Sequence, residues 1–128
     1  MANVLFVCTQ NAGRSQMSEV LFARLVDGRH QARSAGTRPA PQVHPTVLEA
    51  MREVGIDLSG RRPQALTDEL AQWPDVVVTM GCGDSCPVIA GKRYLEWDLA
   101  DPADKSLAEV RQIREDIQTR VMRLAESL

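Results

Sequence analysis

The sequence of 128 residues is poor in aromatic side chains, and its acidic and basic residues almost balance. Aromatic residues make up 4% of the chain, which leaves little for stacking on nucleic-acid bases. A formal net charge of −2 gives no electrostatic reason to expect binding to nucleic acid or to a membrane surface. No apolar run is long enough to span a bilayer. The composition favours an ordinary globular protein, and we expect one domain over residues 1–128.

The chain begins without the features of a secretory signal. Met1–Asn3 carries no basic residue, and the apolar run that follows stops at Cys8. We therefore expect a cytoplasmic location. Structural disulfides are rare in that compartment, so Cys8, Cys82 and Cys86 are expected to be reduced, catalytic or redox-active.

The scarcity of histidine argues against a metal centre. A structural zinc site needs about four ligands, and His30 and His44 do not stand in the paired spacing of a ligand motif. No metal is therefore predicted, and each histidine is expected at the surface. Trp73 and Trp97 are interpreted as packing residues.

Short apolar runs alternate with helix-patterned segments along the chain. Four segments are predicted to be strands: Val4–Val7, Gln31–Ser34, Val76–Val78 and Tyr94–Trp97. Helices are predicted over residues 16–26, from Pro45, from Thr67, and after a capping box that begins at Ser106. The alternation predicts an α/β fold in three layers, a four-stranded parallel sheet with helices on both faces.

The loop Cys8–Ser15 is the most informative segment, because it directly follows the first predicted strand and directly precedes a helix. In such a loop the backbone N–H groups point inward, and the helix N-terminus adds partial positive charge. Arg14 supplies a planar, bidentate donor fork. These features predict a cradle for a tetrahedral oxyanion, with Cys8 held as a nucleophilic thiolate.

Two further residues support this interpretation of the loop. Gly13 stands where the backbone must pass close to a ligand, and Ser15 is placed to donate a hydrogen bond to a thiolate. The alternative is that Cys8 is a small buried apolar residue at the end of a strand.

Chemically capable residues follow several of the predicted strands. Ligands of parallel sheets bind beyond the carboxyl ends of the strands, and Cys8, Thr79–Cys82 and Asp98–Asp101 all follow strand ends. We therefore expect them to converge on one edge of the sheet. Taken alone, an Asp before a Pro, such as Asp101, is most often a turn former.

The pattern Cys8-x5-Arg14-Ser15 at the first strand–helix turn resembles the phosphate loop of the low-molecular-weight protein tyrosine phosphatases. It equally resembles that of the arsenate reductases that share their fold, and the resemblance covers essentially the whole chain. It implies that Asn11 holds the loop in a partly left-handed shape and that Asp101 is the general acid that protonates the leaving oxygen. Ser15 then corresponds to the serine that hydrogen-bonds the nucleophile. The implied oxyanion-binding residues are Thr9, Gln10, Asn11, Ala12, Gly13 and Arg14.

Two features separate the two activities that the resemblance suggests. The phosphatases place aromatic residues directly after the Asp-Pro pair to line a slot for the phosphotyrosyl ring, whereas Ala103 and Asp104 follow here. A phosphatase also has no need of a cysteine pair such as Cys82 and Cys86. The resemblance therefore implies a thioredoxin-coupled arsenate reductase.

The resemblance also supplies the order of the thiols. Cys8 attacks arsenate while Asp101 assists the loss of water. Cys82 attacks the adduct, which releases arsenite and leaves a Cys8–Cys82 disulfide. Cys86 then attacks Cys82, and thioredoxin reduces the Cys82–Cys86 disulfide. No cofactor is expected to bind tightly, and phosphate or sulfate would compete with arsenate for the loop.

Such a relay requires the Cys82 sulfur to meet two partners in turn, because Cα atoms joined by a disulfide lie within about 7 Å. Short and flexible residues around the thiol pair predict a permissive backbone there: Gly81, Gly83, Asp84 and Ser85.

Other functions remain open from the sequence. A phosphatase acting on phosphotyrosine or a small phosphomonoester needs only Cys8, Arg14 and Asp101. Mycothiol or glutathione, followed by a glutaredoxin-like protein, could replace thioredoxin as electron donor. The thiol pair could also be inert core residues, and the protein a non-catalytic anion or redox sensor.

Overall fold

The computed structural model describes residues 1–83, Cys86 and residues 88–128. The strands are β1 (Asn3–Cys8), β2 (Gln31–Gly36), β3 (Val76–Met80) and β4 (Arg93–Glu96). The helices are α1 (Arg14–Val26), α2 (Pro45–Arg52), α3 (Asp68–Gln72) and α4 (Leu107–Glu126). None of the helices in these described ranges combines the length and the apolar content that crossing a membrane requires.

The four strands form one parallel sheet in the order β2-β1-β3-β4. Because every strand runs the same way, all carboxyl ends meet at one edge of the sheet. The register places Cys8, the last residue of β1, opposite Gly36 on one side and Met80 on the other. The predicted three-layer α/β fold is therefore confirmed, and Cys8 lies in the middle of the edge where ligands bind.

Alternate residues of β1 pack into two separate hydrophobic cores, one on each face of the sheet. Val4 and Phe6 belong to the larger core, which helices α1, α2 and α4 cover. Leu5 and Val7 belong to a smaller core on the opposite face, together with Leu70 of α3 and other buried residues. This smaller core is closed by the five-residue helix α3 and by the segment that contains Cys82.

The helix ends follow the signals in the sequence. The Thr67 side chain accepts a hydrogen bond from Leu70 N at 3.1 Å, and Ser106 and Glu109 form the predicted capping box at the start of α4. Helix α1 begins at Arg14, two residues before the predicted start at 16. Residues 9–13, which we call the oxyanion loop after their predicted role, lead directly into its first turn.

Three of the strands, β1, β2 and β3, run closer to the carboxyl edge of the sheet than their apolar patterns indicate. Strand β2 continues past Ser34 to Gly36, and β3 continues past Val78 to Met80. Strand β4 begins one residue earlier than predicted and ends at Glu96, although Trp97 N still donates to Thr79 O at 2.9 Å. Backbone hydrogen bonds to the neighbouring strand stabilise these added residues. The pattern of apolar residues does not predict such bonds.

The two tryptophans pack as interpreted, but the expectation of surface histidines is wrong. Trp97 lies against Phe6 in the larger core with ring centroids 5.8 Å apart, and Trp73 packs on the smaller core. His30 is half-buried and its Nδ1 accepts a hydrogen bond from the backbone N of Ala2 at 2.9 Å. His44 is also half-buried.

Candidate active site

Residues 37–44 hold the outside of the loop that follows β1. Four of their N–H groups donate to loop carbonyls: Thr37 to Cys8 (3.2 Å), Arg38 to Thr9 (2.8 Å), Ala40 to Gln10 (3.0 Å) and His44 to Ala12 (3.0 Å). Because peptide groups are planar and trans, a carbonyl that points outward turns the N–H on its other side inward. Asn11 N accordingly donates to the Sγ of Cys8 at 3.3 Å. The loop therefore presents backbone donors to its own interior, as an oxyanion cradle requires.

Gly36 brings the end of β2 into direct backbone contact with this loop. A Cβ built on Gly36 would lie 2.7 Å from Thr9 O and 2.9 Å from Asn11 N. Backbone atoms cannot rotate away from such a contact, so only glycine fits there. The close approach fixes the loop against the end of β2.

Cys8 lies at the centre of a set of hydrogen-bond donors. Its side chain is buried, and its Sγ lies 2.9 Å from the Oγ of Ser15. Asn11 has a left-handed backbone with φ of 51°, and its Nδ2 donates to the same Oγ at 2.7 Å. A thiolate carries no proton, so in that form Cys8 can only accept from Ser15 and from the N–H of Asn11. The arrangement suits an anionic sulfur.

Arg14 and Asp101 lie together at the mouth of the loop. The Arg14 side chain is 8% exposed, and its Nη2 lies 3.5 Å from Oδ2 of Asp101, which is 48% exposed. Arg14 Nη1 also donates to the carbonyl of Leu99 at 3.4 Å. A buried cation faces the loop while a solvent-accessible carboxyl stands at its entrance, which is where an oxyanion binder and a proton donor are needed.

The segment that carries Asp101 rests directly on the oxyanion loop. A Cβ built on Gly13 would lie 2.4 Å from Cγ of Pro102. Gly13 is therefore required here by the neighbouring proline ring. The close approach of a ligand at this position stays a prediction. Ala103 N donates to Oδ1 of Asp101 at 3.0 Å, which orients the carboxyl.

Gly81, at the other side of the mouth, joins the cysteine segment to the same loop. Its φ is +79°, and a Cβ there would lie 2.4 Å from Nη1 of Arg14. The hydroxyl of Thr9 donates to the Gly81 carbonyl at 3.1 Å. The residue directly before Cys82 thus lies close to the Arg14 guanidinium and is hydrogen-bonded to the loop.

Cys82 and Cys86 form a disulfide with their Cα atoms 5.5 Å apart, and Cys8 is a free thiol. Cys82 is buried in the smaller core, and Cys86 packs against that core from its edge. Of the residues predicted to give the backbone freedom, Asp84 and Ser85 lie outside the described residues, as does Pro87.

The sheet register limits how far Cys82 is from Cys8. Cys8 and Met80 are partners on adjacent strands, which lie about 4.8 Å apart. Two further residues of chain reach at most about 7 Å. The Cα atoms of Cys8 and Cys82 are therefore within about 12 Å, and a displacement of several ångströms brings them within the roughly 7 Å that a disulfide needs.

A buried polar network behind the loop was not anticipated from the sequence. Gln16, on the first turn of α1, is 1% exposed and its Nε2 donates to Oδ1 of Asn11 at 3.1 Å. Arg61 Nε donates to Oε1 of Gln16 at 2.7 Å, and Arg61 also pairs with Glu19. The one available signal was a run of polar residues on the inward face of α1, and that signal does not reveal which partners they meet.

All five aromatic residues of the chain pack against one of the two cores. Tyr94 lies against the smaller core, and its hydroxyl accepts a hydrogen bond from Ile89 N. In the described residues these rings are therefore engaged in core packing, and Ala103 and Asp104, which follow the Asp101–Pro102 pair, supply no ring to line a phosphotyrosine slot.

This geometry agrees with the comparison to known protein families. The sequence matches the model for the low molecular weight phosphotyrosine protein phosphatase over residues 3–128. The chain belongs to this family. Within the low molecular weight phosphatase family, several relatives carry a different activity in their names.

A putative arsenate reductase of Halobacterium salinarum is 40% identical over 124 residues, which cover 93% of this chain and 87% of the relative. A glutaredoxin arsenate reductase of Synechocystis is 36% identical over 127 residues, covering 97% and 96%. Among solved structures, a thioredoxin-dependent arsenate reductase of Corynebacterium glutamicum superposes with a TM-score of 0.84 at 40% identity. The match covers 99% of this chain, which spans 60% of the length of that solved chain.

Proposed function

We propose that this member of the low molecular weight phosphatase family reduces arsenate to arsenite through Cys8, Cys82 and Cys86. One observation carries the proposal: a Cys82–Cys86 disulfide follows directly on Gly81, which contacts Arg14 and Thr9 of the oxyanion loop. A free nucleophile beside an oxidised thiol pair is the arrangement expected after one turnover. The names of the relatives support this substrate.

The first step joins arsenic to sulfur. The loop N–H groups and Arg14 bind the arsenate oxygens, and the Cys8 thiolate attacks arsenic(V). Asp101 donates a proton to the departing oxygen, which leaves as water. The product is a thioester of arsenate on Cys8, with arsenic still in its oxidised state.

The second step moves two electrons from sulfur to arsenic. The Cys82 thiolate attacks the Sγ of Cys8, the sulfur–arsenic bond breaks, and arsenic leaves as arsenite with the bonding pair. Cys86 then attacks the Sγ of Cys82, so Cys8 returns to its thiolate form. The balance is one arsenate and two thiols to one arsenite, one water and one disulfide.

An external dithiol must then reduce the Cys82–Cys86 disulfide, and we propose thioredoxin for this role. The name of the Corynebacterium glutamicum relative supports it, whereas the Synechocystis relative is named for glutaredoxin. Both cysteines of the pair are present here, and a donor that attacks the arsenic adduct directly does not require them. We place the reaction in the cytoplasm, with phosphate and sulfate as competing oxyanions.

The test is a coupled assay with arsenate, thioredoxin, thioredoxin reductase and NADPH. The wild-type protein should release arsenite over many turnovers. The variants Cys82→Ser and Cys86→Ser should each stop at the step that the substitution blocks. Replacing thioredoxin with glutathione and glutaredoxin should reduce turnover sharply. Full multiple turnover by both serine variants would refute the relay.

The alternative is a phosphatase for a small phosphomonoester, which needs only Cys8, Arg14 and Asp101. The pairing of Arg14 with Asp101 at the mouth of the loop supports it. Rapid hydrolysis of p-nitrophenyl phosphate together with no arsenate-dependent NADPH oxidation would favour the phosphatase. Slow hydrolysis alone decides nothing, because one loop binds both tetrahedral anions.

A further inference from the structure

We propose that Arg61 is a positioning residue that holds Cys8 in its thiolate form through a chain of hydrogen bonds with one fixed direction. The chain runs from Arg61 through Gln16, Asn11 and Ser15 to the sulfur. The inference rests on Cys8 being the nucleophile of the proposed function, but not on arsenate being its substrate.

The direction of the chain is set at its outer end. A guanidinium has five N–H donors and no acceptor, so the Gln16 atom that faces Arg61 Nε at 2.7 Å is the amide oxygen. The Gln16 NH₂ group must then point the other way, toward Oδ1 of Asn11 at 3.1 Å. Arg61 therefore fixes which way round a buried amide sits, together with the Arg62 carbonyl, which accepts from the same NH₂ group at 3.4 Å.

The remaining hydrogen bonds of the chain have the same direction, toward the sulfur. With its oxygen engaged, Asn11 presents its NH₂ to the Ser15 hydroxyl at 2.7 Å. Ser15 then has its own proton free for Cys8 Sγ at 2.9 Å. Each link donates toward the sulfur, and hydrogen bonds in such a chain polarise one another. The last group in the chain has to accept a hydrogen bond, and a thiolate is a stronger acceptor than a thiol. The chain therefore stabilises the thiolate form of Cys8.

Arg61 is itself held in place from the other side. Its NH₂ group contacts Oε1 of Glu19 at 2.5 Å, and the Ser34 hydroxyl donates to the same oxygen at 2.6 Å. The Glu19 side chain is 14% exposed and that of Arg61 is 35% exposed. Two simultaneous contacts, Nε to Gln16 and NH₂ to Glu19, require the planar fork of arginine, which lysine lacks.

Other groups also act on the sulfur, and they set the scale of the expected effect. Arg14 and its partner Asp101 face the loop from α1 and from the segment before α4, and the His44 ring lies beside Gly13. Gln64 N also donates to Oδ1 of Asn11 at 2.9 Å, so Asn11 keeps its orientation when Arg61 is lost. We therefore expect a partial effect rather than loss of the nucleophile.

The oxidised protein offers a direct assay, because with Cys82 and Cys86 in a disulfide Cys8 is the free thiol. The rate of iodoacetamide alkylation is measured against pH for Arg61→Met and for the neighbouring control Arg62→Met. The Arg62 side chain is exposed, and only its carbonyl contacts Gln16, so the control removes the same charge and leaves the chain intact.

Arg61→Met should move the midpoint of the alkylation profile upward by about half a pH unit, roughly a threefold lower rate well below the midpoint. Arg62→Met should leave the midpoint unchanged. Gln16→Met should shift it as well, and the Arg61→Met/Gln16→Met double variant should shift it no further than Gln16→Met alone. That non-additivity identifies action through Gln16.

The same midpoint in Arg61→Met and Arg62→Met would overturn the proposal, as would fully additive shifts in the double variant. If Arg61→Met does not fold, Arg61→Lys keeps a positive charge near Glu19 but loses the fork, and it should give the same upward shift. An unshifted midpoint in a folded Arg61→Lys would also overturn it. These outcomes are independent of whether arsenate is reduced.

Discussion

The contact between Gly36 and the oxyanion loop can be tested by adding a single methyl group. In Gly36→Ala the new Cβ would lie 2.7 Å from Thr9 O and 2.9 Å from both Asn11 N and the carbonyl carbon of Gln10. All three atoms are backbone, so the loop itself has to move. Overpacking of this kind costs about 1–3 kcal/mol.

Gly60→Ala is the matched control, because a Cβ on Gly60 has no atom within 4 Å in the described part of the structure. Its methyl group only restricts the unfolded chain, which stabilises a protein by about 0.4–1 kcal/mol where the backbone allows it. The two variants carry the same change in sequence and should have effects of opposite sign, separated by about 1.5–4 kcal/mol.

Urea denaturation monitored by circular dichroism measures both free energies of unfolding. The rate at which the oxidised protein is alkylated measures the effect on Cys8. Asn11 N donates to Cys8 Sγ, and the added methyl group has to displace it. We expect Gly36→Ala to alkylate more slowly than wild type at neutral pH and Gly60→Ala to match it. Equal stability of the two variants would refute the close approach of β2 to the loop.

Three further variants test other parts of the structure. Gly81→Ala should weaken the binding of phosphate or sulfate to the oxidised protein by about tenfold, because the new methyl group would push Arg14 aside and the positive φ of residue 81 disfavours alanine. Protection of Cys8 from alkylation by the anion measures this binding. Ser106→Ala should lower the free energy of unfolding by about 1 kcal/mol in urea denaturation, since it removes the cap of α4. The guanidiniums of Arg111 and Arg114 hold the pKa of Glu53 at about 2, below its usual 4.5, so this pairing stabilises the folded state above pH 4.5 and is lost as the pH falls toward 2. Glu53→Gln should therefore have a lower urea midpoint than wild type at pH 7, and the difference should disappear near pH 2; a constant difference would contradict this.

Much of the fold could be predicted because its signals are local. The apolar run of β1, Pro45 at the start of α2 and the Ser106 capping box each act within a few residues, and the structure confirms them. The oxyanion loop was recognisable for the same reason, since Cys8 and Arg14 lie six positions apart.

The residues that support the loop could not be found in this way. Gly36 is required by a contact with Thr9, which joins segments far apart in the chain. Gly13 is recognisable from the sequence, but its contact with Pro102 is not, because that contact also joins distant segments. Arg61 reaches the site only because its segment folds back onto α1, and no periodic pattern encodes such a hydrogen bond. The predicted carboxyl ends of β1, β2 and β3 fall short because ladder bonds with neighbouring strands extend these three strands.

Mapping the disulfides of Cys86→Ser after a single turnover examines the proposed thiol relay in one experiment. The fully reduced variant is mixed with one equivalent of arsenate without any external donor, quenched with acid, alkylated and digested for mass spectrometry. We expect one equivalent of arsenite and a peptide pair that joins Cys8 to Cys82. Release of arsenite without the Cys8–Cys82 peptide pair would refute the relay. The relay would also be refuted if a folded variant that still binds the anion formed neither arsenite nor this pair.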